Sequence, residues 1–170
     1  MGETVRTVGM KTQKQQNSLN IFWFRRDLRI FDNHAFFEAL RHEGGSAQAI
    51  FIFDSEILES LDATDKRVQF IHEELKNIKL ELQKRGGDLW VFHGKPKDVF
   101  RELIRKFQIN CVFVNADYEP SAHQRDLAVT KILQGKGIPF KAFKDQCIFE
   151  KSEILTDQKK PYSVFTPFKR

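Results

Sequence analysis

The sequence predicts an α/β fold: a doubly wound sheet of five parallel strands, covered by helices on both faces to give three α/β/α layers. Three observations carry this. Short apolar runs alternate with longer helical patterns, an order that calls for right-handed crossovers between parallel strands. The apolar runs lack in–out alternation, as expected of strands covered on both sides. The chain has 170 residues, 41% hydrophobic and 30% charged, which suits one soluble core.

Each element has its own signal. LNIFWF, residues 19–24, is the first strand. Asp32 or Asn33 caps a helix through HAFFEALRH, which Gly44-Gly45 ends. AQAIFIF, residues 47–53, is the second strand and stops at Asp54. A long helix follows Thr64 or Asp65. In it Val68, Ile71, Leu75, Ile78 and Leu82 recur at spacings of three and four, one apolar stripe. Arg85-Gly86-Gly87 closes it. DLWVFHG is the third strand, and Pro96 suits the first turn of a helix with Val99, Leu103 and Phe107 on one face. NCVFVN is the fourth strand. Glu119-Pro120-Ser121 opens a helix that runs to about Gly135, and IPFKAF is the fifth strand. The domain therefore spans residues 19–150. Residues 1–18 are polar and patternless and read as a disordered lead-in, while residues 151–170 have no clean period and read as an extended segment.

Composition excludes more than it assigns. The formal charge of +5 is compatible with an anionic partner such as nucleic acid, but the 28 basic and 23 acidic residues are mostly interspersed. Cys111 and Cys147 sit beside apolar residues without ligand spacing, which predicts buried free thiols in a reducing cytoplasm. No apolar run is long enough to span a membrane, and the N-terminus lacks the apolar core of a signal peptide. Dinucleotide, P-loop and zinc-protease motifs are missing, the five histidines have no metal spacing, and no nucleophile elbow is present. The sequence offers no catalytic set and no metal set. His72 reads as a surface residue, and His93, just after the third strand, is the histidine best placed to reach a ligand.

In open α/β sheets ligands bind beyond the carboxyl ends of the strands, where strand order reverses. Whether the sheet is Rossmann-like or flavodoxin-like, the residues that follow the strands matter most. Arg25, Arg26 and Asp27 follow the first strand, and Asn115 through Glu119 end and follow the fourth. These two groups are expected to flank one crevice. Two jobs stay open for them: a salt-bridged staple of the loops, or a wall for a ligand.

Three segments resemble one known family. IFWFRRDLRIFDN is similar to the opening of the DNA photolyase and cryptochrome family, whose W-x-R-x-D-L-R-x-x-D-N pattern is carried here by Trp23, Arg25, Asp27, Leu28, Arg29, Asp32 and Asn33. VFVNADYEPSAHQRD resembles the family's fourth strand and the loop after it, through Asn115, Tyr118, Glu119, Pro120, Arg125 and Asp126. PYSVFTPFKR resembles the segment that ends the family's α/β domain.

The resemblance implies an N-terminal antenna domain of a deoxyribodipyrimidine photolyase. The full enzyme would split pyrimidine dimers in DNA with light, through FAD held in a C-terminal helical domain that this chain lacks. The 170-residue chain by itself is then expected to be inactive. The antenna crevice would take FMN or 8-hydroxy-5-deazaflavin, with Arg25, Arg26, Phe51, Ile52, Asp117 and Glu119 as the matching residues. Folate antennas in the family use an Asn-Glu pair where this chain has Ser121 and Ala122, which counts against methenyltetrahydrofolate. Phe165 and Phe168 would anchor the helical domain. The alternatives are a cryptochrome photoreceptor without repair activity, a stand-alone nucleotide-binding or regulatory α/β domain, and an interaction module that docks a helical partner through its Phe-rich C-terminus.

Overall fold

The structure, a computed structural model, describes residues 18–62, 64–150 and 153–169. The predicted lead-in lies outside the described residues, except for Ser18. The chain runs β1 (Leu19–Phe24), α1 (His34–Arg41), β2 (Ser46–Phe53), α2 (Ser55–Leu58), α3 (Lys66–Lys84), β3 (Leu89–His93), α4 (Pro96–Lys106), β4 (Ile109–Asn115), α5 (Pro120–Gln134), β5 (Phe140–Phe143) and α6 (Phe165–Lys169). The five strands are all parallel, in the order β3-β2-β1-β4-β5. Of the two doubly wound types expected, this is the Rossmann order. The direction of winding reverses between β1 and β4.

Central position explains the sequence of β1. Phe22 and Phe24 point to one face and pack with Ala35 and Phe36 of α1 and Leu75 and Ile78 of α3. Ile21 and Trp23 point to the other, against Phe100 and Leu103 of α4 and Val129 and Leu133 of α5. Successive side chains point opposite ways, and because both faces are covered those from Ile21 to Phe24 are all apolar; the buried Asn20 is satisfied by the His42 and Gly45 carbonyls. Removing one such side chain from water stabilises the fold by about 1.5–3 kcal/mol.

The ends of the helices follow local chemistry. Asn33, not Asp32, caps α1: its side chain accepts from the Phe36 amide. Asp32 instead turns the chain with φ 48°, a left-handed conformation that Asp tolerates better than most residues. Asp65 caps α3 through the Arg67 amide. Gly86 (φ 81°) ends it, and Gly87 N–H returns to Leu82 O at 2.9 Å.

Several expectations need correction. The lack of alternation holds for central β1 and β4 but not for β3 and β5, which lie at the sheet edges and expose alternate or middle residues. The predicted α3 stripe is only partly core. Leu75, Ile78 and Leu82 are buried, whereas Val68 and Ile71 are half-buried. Cys111 is buried, and burial raises its thiol pKa; Cys147 is exposed, because the chain after β5 runs over the surface. The extended segment read over residues 151–170 contains the one-turn helix α6, whose Phe168 ring lies 6.0–6.4 Å from those of Phe149, Tyr162 and Phe165.

Candidate functional site

The motif after β1 is first of all a structural latch. Asp27, Asn33 and Asn115 are 6%, 5% and 3% exposed, and they are joined to one another. Asn115 Nδ2 donates to a carboxylate oxygen of Asp27 and to Asn33 Oδ1 at 2.9 Å. Asn115 Oδ1 accepts from the Ala35 amide at 2.9 Å, and Asn33 Nδ2 donates to Arg29 O at 2.9 Å. The other Asp27 oxygen accepts from the Arg25 amide at 2.8 Å. The network ties the end of β1, the start of α1 and the end of β4 together. Every member is satisfied, which is what makes buried polar groups tolerable.

The arginines are also stapled. Arg25 Nη1 reaches both carboxylate oxygens of Asp126 at 2.7 Å, and its Nη2 donates to Asn115 O. Arg26 Nη2 donates to Glu119 at 2.7 Å, and its Nε lies 3.6 Å from Asp117. The Glu119 hydrogen bond raises the pKa of Arg26 above its ordinary value, against the opposing effect of burial. Arg29 pairs with Asp145 at 2.7 Å. The space between β1 and β4 is therefore filled by side chains.

The cavity opens to one side of that plug, over the carboxyl ends of β1 and β2, with a volume of about 330 Å³. That is at the lower end of the roughly 300–1,000 Å³ usual for small-molecule sites. All six residues expected from the sequence line it: Arg25, Arg26, Phe51, Ile52, Asp117 and Glu119. Asp27 and Asn115 do not. His93 is exposed and lines a different hollow, along β3 and α4.

This chain matches the family model described as DNA photolyase over residues 20–170. It belongs to the DNA photolyase family. It is 32% identical over 148 residues to the deoxyribodipyrimidine photo-lyase of Synechococcus sp. (strain ATCC 27144), covering 87% of this chain and 30% of that one. Among solved structures it is similar to a class III photolyase of Agrobacterium tumefaciens, with TM-score 0.79, 28% identity, and 94% and 32% of the two chains covered. It also resembles an archaeal photolyase from Sulfolobus tokodaii, with TM-score 0.73, 33% identity, and 81% and 32% covered. That structure is described with two FAD molecules and the implication of a novel light-harvesting cofactor. The chain spans between about a third and about half the length of the curated relatives it matches.

In this photolyase-family chain the cavity has walls that the motifs do not include. Ile57, Leu58 and Leu61 come from α2 and the turn after it, and Val68 and Ile71 from the first turns of α3. The signal for α2 was faint: an N-cap Asp54, then apolar residues at i, i+1 and i+4 in ILESL. Val68 and Ile71 were legible as apolar but not as cavity wall. Asp54, which caps α2 through the Glu56 amide at 3.1 Å, stands at the cavity mouth. Burial raises its pKa, partly offset by that amide and by nearby Arg125. Tyr118, beside the site, donates to Glu150 at 2.8 Å; burial and then that bond push its phenol up to about 12.

The donor set fits a flat, partly apolar ligand. The cavity lining joins Phe51, Ile52 and the aliphatic residues of α2 and α3 with the carboxylates of Asp54, Asp117 and Glu119 and the guanidinium groups of Arg25, Arg26, Arg67 and Arg125. No described helix is long and apolar enough to cross a membrane.

Proposed function

We propose that this chain is the N-terminal antenna domain of a deoxyribodipyrimidine photolyase and that its cavity holds a flavin-class chromophore, FMN or 8-hydroxy-5-deazaflavin. One observation carries the reading: the six residues matched to the antenna crevice all line one mostly apolar cavity beyond β1 and β2. The flavin-rich archaeal relative supports the ligand class. Ser121 and Ala122, both in the cavity wall, stand where folate antennas use an Asn-Glu pair and count against methenyltetrahydrofolate.

Bound there, the chromophore would supply light absorption and pass the excitation to FAD in a helical domain, where a pyrimidine dimer in DNA would be split. The residues of this chain bind and orient. The aliphatic walls exclude water from the ring, and Asp117 and Glu119 offer oxygens to ring N–H or hydroxyl groups. The exposed rings of Phe165 and Phe168 would pack against the helical domain.

The test is a titration of FMN and of 8-hydroxy-5-deazaflavin into the purified chain, followed by flavin fluorescence. Saturable binding that Val68→Trp or Ile71→Trp abolishes, by filling the cavity, is the expected result. Absence of binding by either flavin would overturn the reading.

A further inference from the structure

Among the described residues, the only buried side-chain nitrogen or oxygen without a hydrogen-bond partner is Arg125 Nε. The isolation is specific to that residue. Its neighbours in the cavity wall are all engaged: Arg25 with Asp126, Arg26 with Glu119, and Arg67 with Asp65 at 2.6 Å. Three carboxylates act on Arg125 through space, yet none hydrogen-bonds to it. Asp126 holds Arg25, Asp54 caps α2, and Asp117 accepts from the Glu119 amide at 3.2 Å. The Arg125 guanidinium rests 5.4 Å from the centre of the Trp23 ring, and Arg25 lies 5.6 Å from the same ring. Burial, and then the like charge of Arg25, lower its pKa from the ordinary value. A guanidinium nevertheless stays charged in proteins, and a buried N–H of such a group without an acceptor is costly.

Arg125 also stands between two hollows. It lines the flavin-sized cavity and a second one of about 420 Å³, and Asp54, Ile57, Pro96 and Ser121 are shared between them. The second hollow is more polar than the first, with Lys95, Lys97 and Gln124 in its wall. Its carboxylate Glu56 is taken by Lys95 at 2.8 Å. Two helices begin at this boundary, α4 at Pro96 and α5 at Pro120, and neither has a side-chain hydrogen bond at its N-cap. Helix starts left in this way favour negative charge.

We propose that Arg125 is the anion-pairing residue of a two-room site, and that the ligand is a phosphorylated flavin: the ring lies in the first cavity and the phosphate ester meets Arg125 at the entrance to the second, on the side of Lys95 and Lys97. This rests on reading the first cavity as a flavin-class site. It makes Arg125 a specificity determinant that selects flavin nucleotides over flavins without an anionic tail.

The experiment measures the affinity of the chain for FMN, riboflavin and inorganic pyrophosphate, in the wild type, Arg125→Gln and Arg125→Lys. A charge-assisted pair predicts that the wild type binds FMN about tenfold or more tighter than riboflavin, and that added salt narrows the gap. Arg125→Gln should lower FMN affinity about tenfold or more beyond any change in riboflavin affinity, erasing the FMN advantage, while Arg125→Lys restores part of it. Equal wild-type affinity for FMN and riboflavin would overturn the proposal, even if Arg125→Gln failed to fold. So would an Arg125→Gln variant that loses both flavins alike. If neither flavin binds but pyrophosphate binds in an Arg125-dependent way, the anion-pairing role stands and the flavin reading falls. If none of the three binds, both fall.

Discussion

At the scale of the residue, the signature after β1 divides into two kinds of group. Asp27, Asn33 and Asn115 hold the loops together, whereas the buried Arg125 Nε has no hydrogen-bond partner. Asn115→Ala would orphan the buried Ala35 amide and an Asp27 oxygen, each at roughly 1–3 kcal/mol. Urea unfolding should show that loss as a lowered midpoint with an unchanged slope. Tyr118 gives a pH effect of definite sign. Its phenol is held at about 12 in the folded chain against an ordinary 10.0, so the folded state keeps the proton more tightly. The stability this contributes is whole below pH 10 and is lost as pH rises toward 12. Tyr118→Phe should flatten the stability curve across that window in urea titrations at several pH values. How much of this was legible differs from residue to residue. Arg25 was visible as a charge at a strand end, but its partner Asp126 is 101 positions away and is set only when β4 and α5 come beside β1. An unmet N–H such as that of Arg125 Nε is harder still to see in sequence, because it depends on where every nearby acceptor lies.

At the scale of the element, the central strands and the long helices could be read because burial on both faces or on one stripe leaves a period. The edges could not be read that way, since β3 and β5 are each covered less than the rule for central strands assumes. Helix α2 escaped because four residues make one turn and carry no period. Helix α3 is the informative case, since one stripe does two jobs along its length. Leu75→Ala or Ile78→Ala should cost about 2–5 kcal/mol, the usual loss for a large core side chain. Val68→Ala, two turns earlier on the same stripe, should cost about 1 kcal/mol or less, because its side chain is only half-buried. It should instead weaken flavin binding. Thermal unfolding and fluorescence titration of the same three variants separate the two jobs.

At the scale of the whole molecule, the described surface has one crowded aromatic corner. Phe149, Tyr162, Phe165 and Phe168 are 50%, 36%, 71% and 43% exposed, with the first three rings gathered around that of Phe168. Exposed apolar patches of this kind are sticky. The chain should therefore self-associate as its concentration rises, and Phe165→Ser with Phe168→Ser should abolish that in sedimentation velocity. The order of the sheet has a further consequence for motion. The cavity is walled by β1, β2, α2 and the start of α3 from the first half of the chain, and by Pro96 and the start of α5 from the second. Neither half encloses a ligand alone. An occupied cavity then acts as a bolt across the two halves, since local opening of either one releases the ligand. In hydrogen exchange, the first turns of α3 and α5 should open independently in the empty chain and slow together once the cavity is filled.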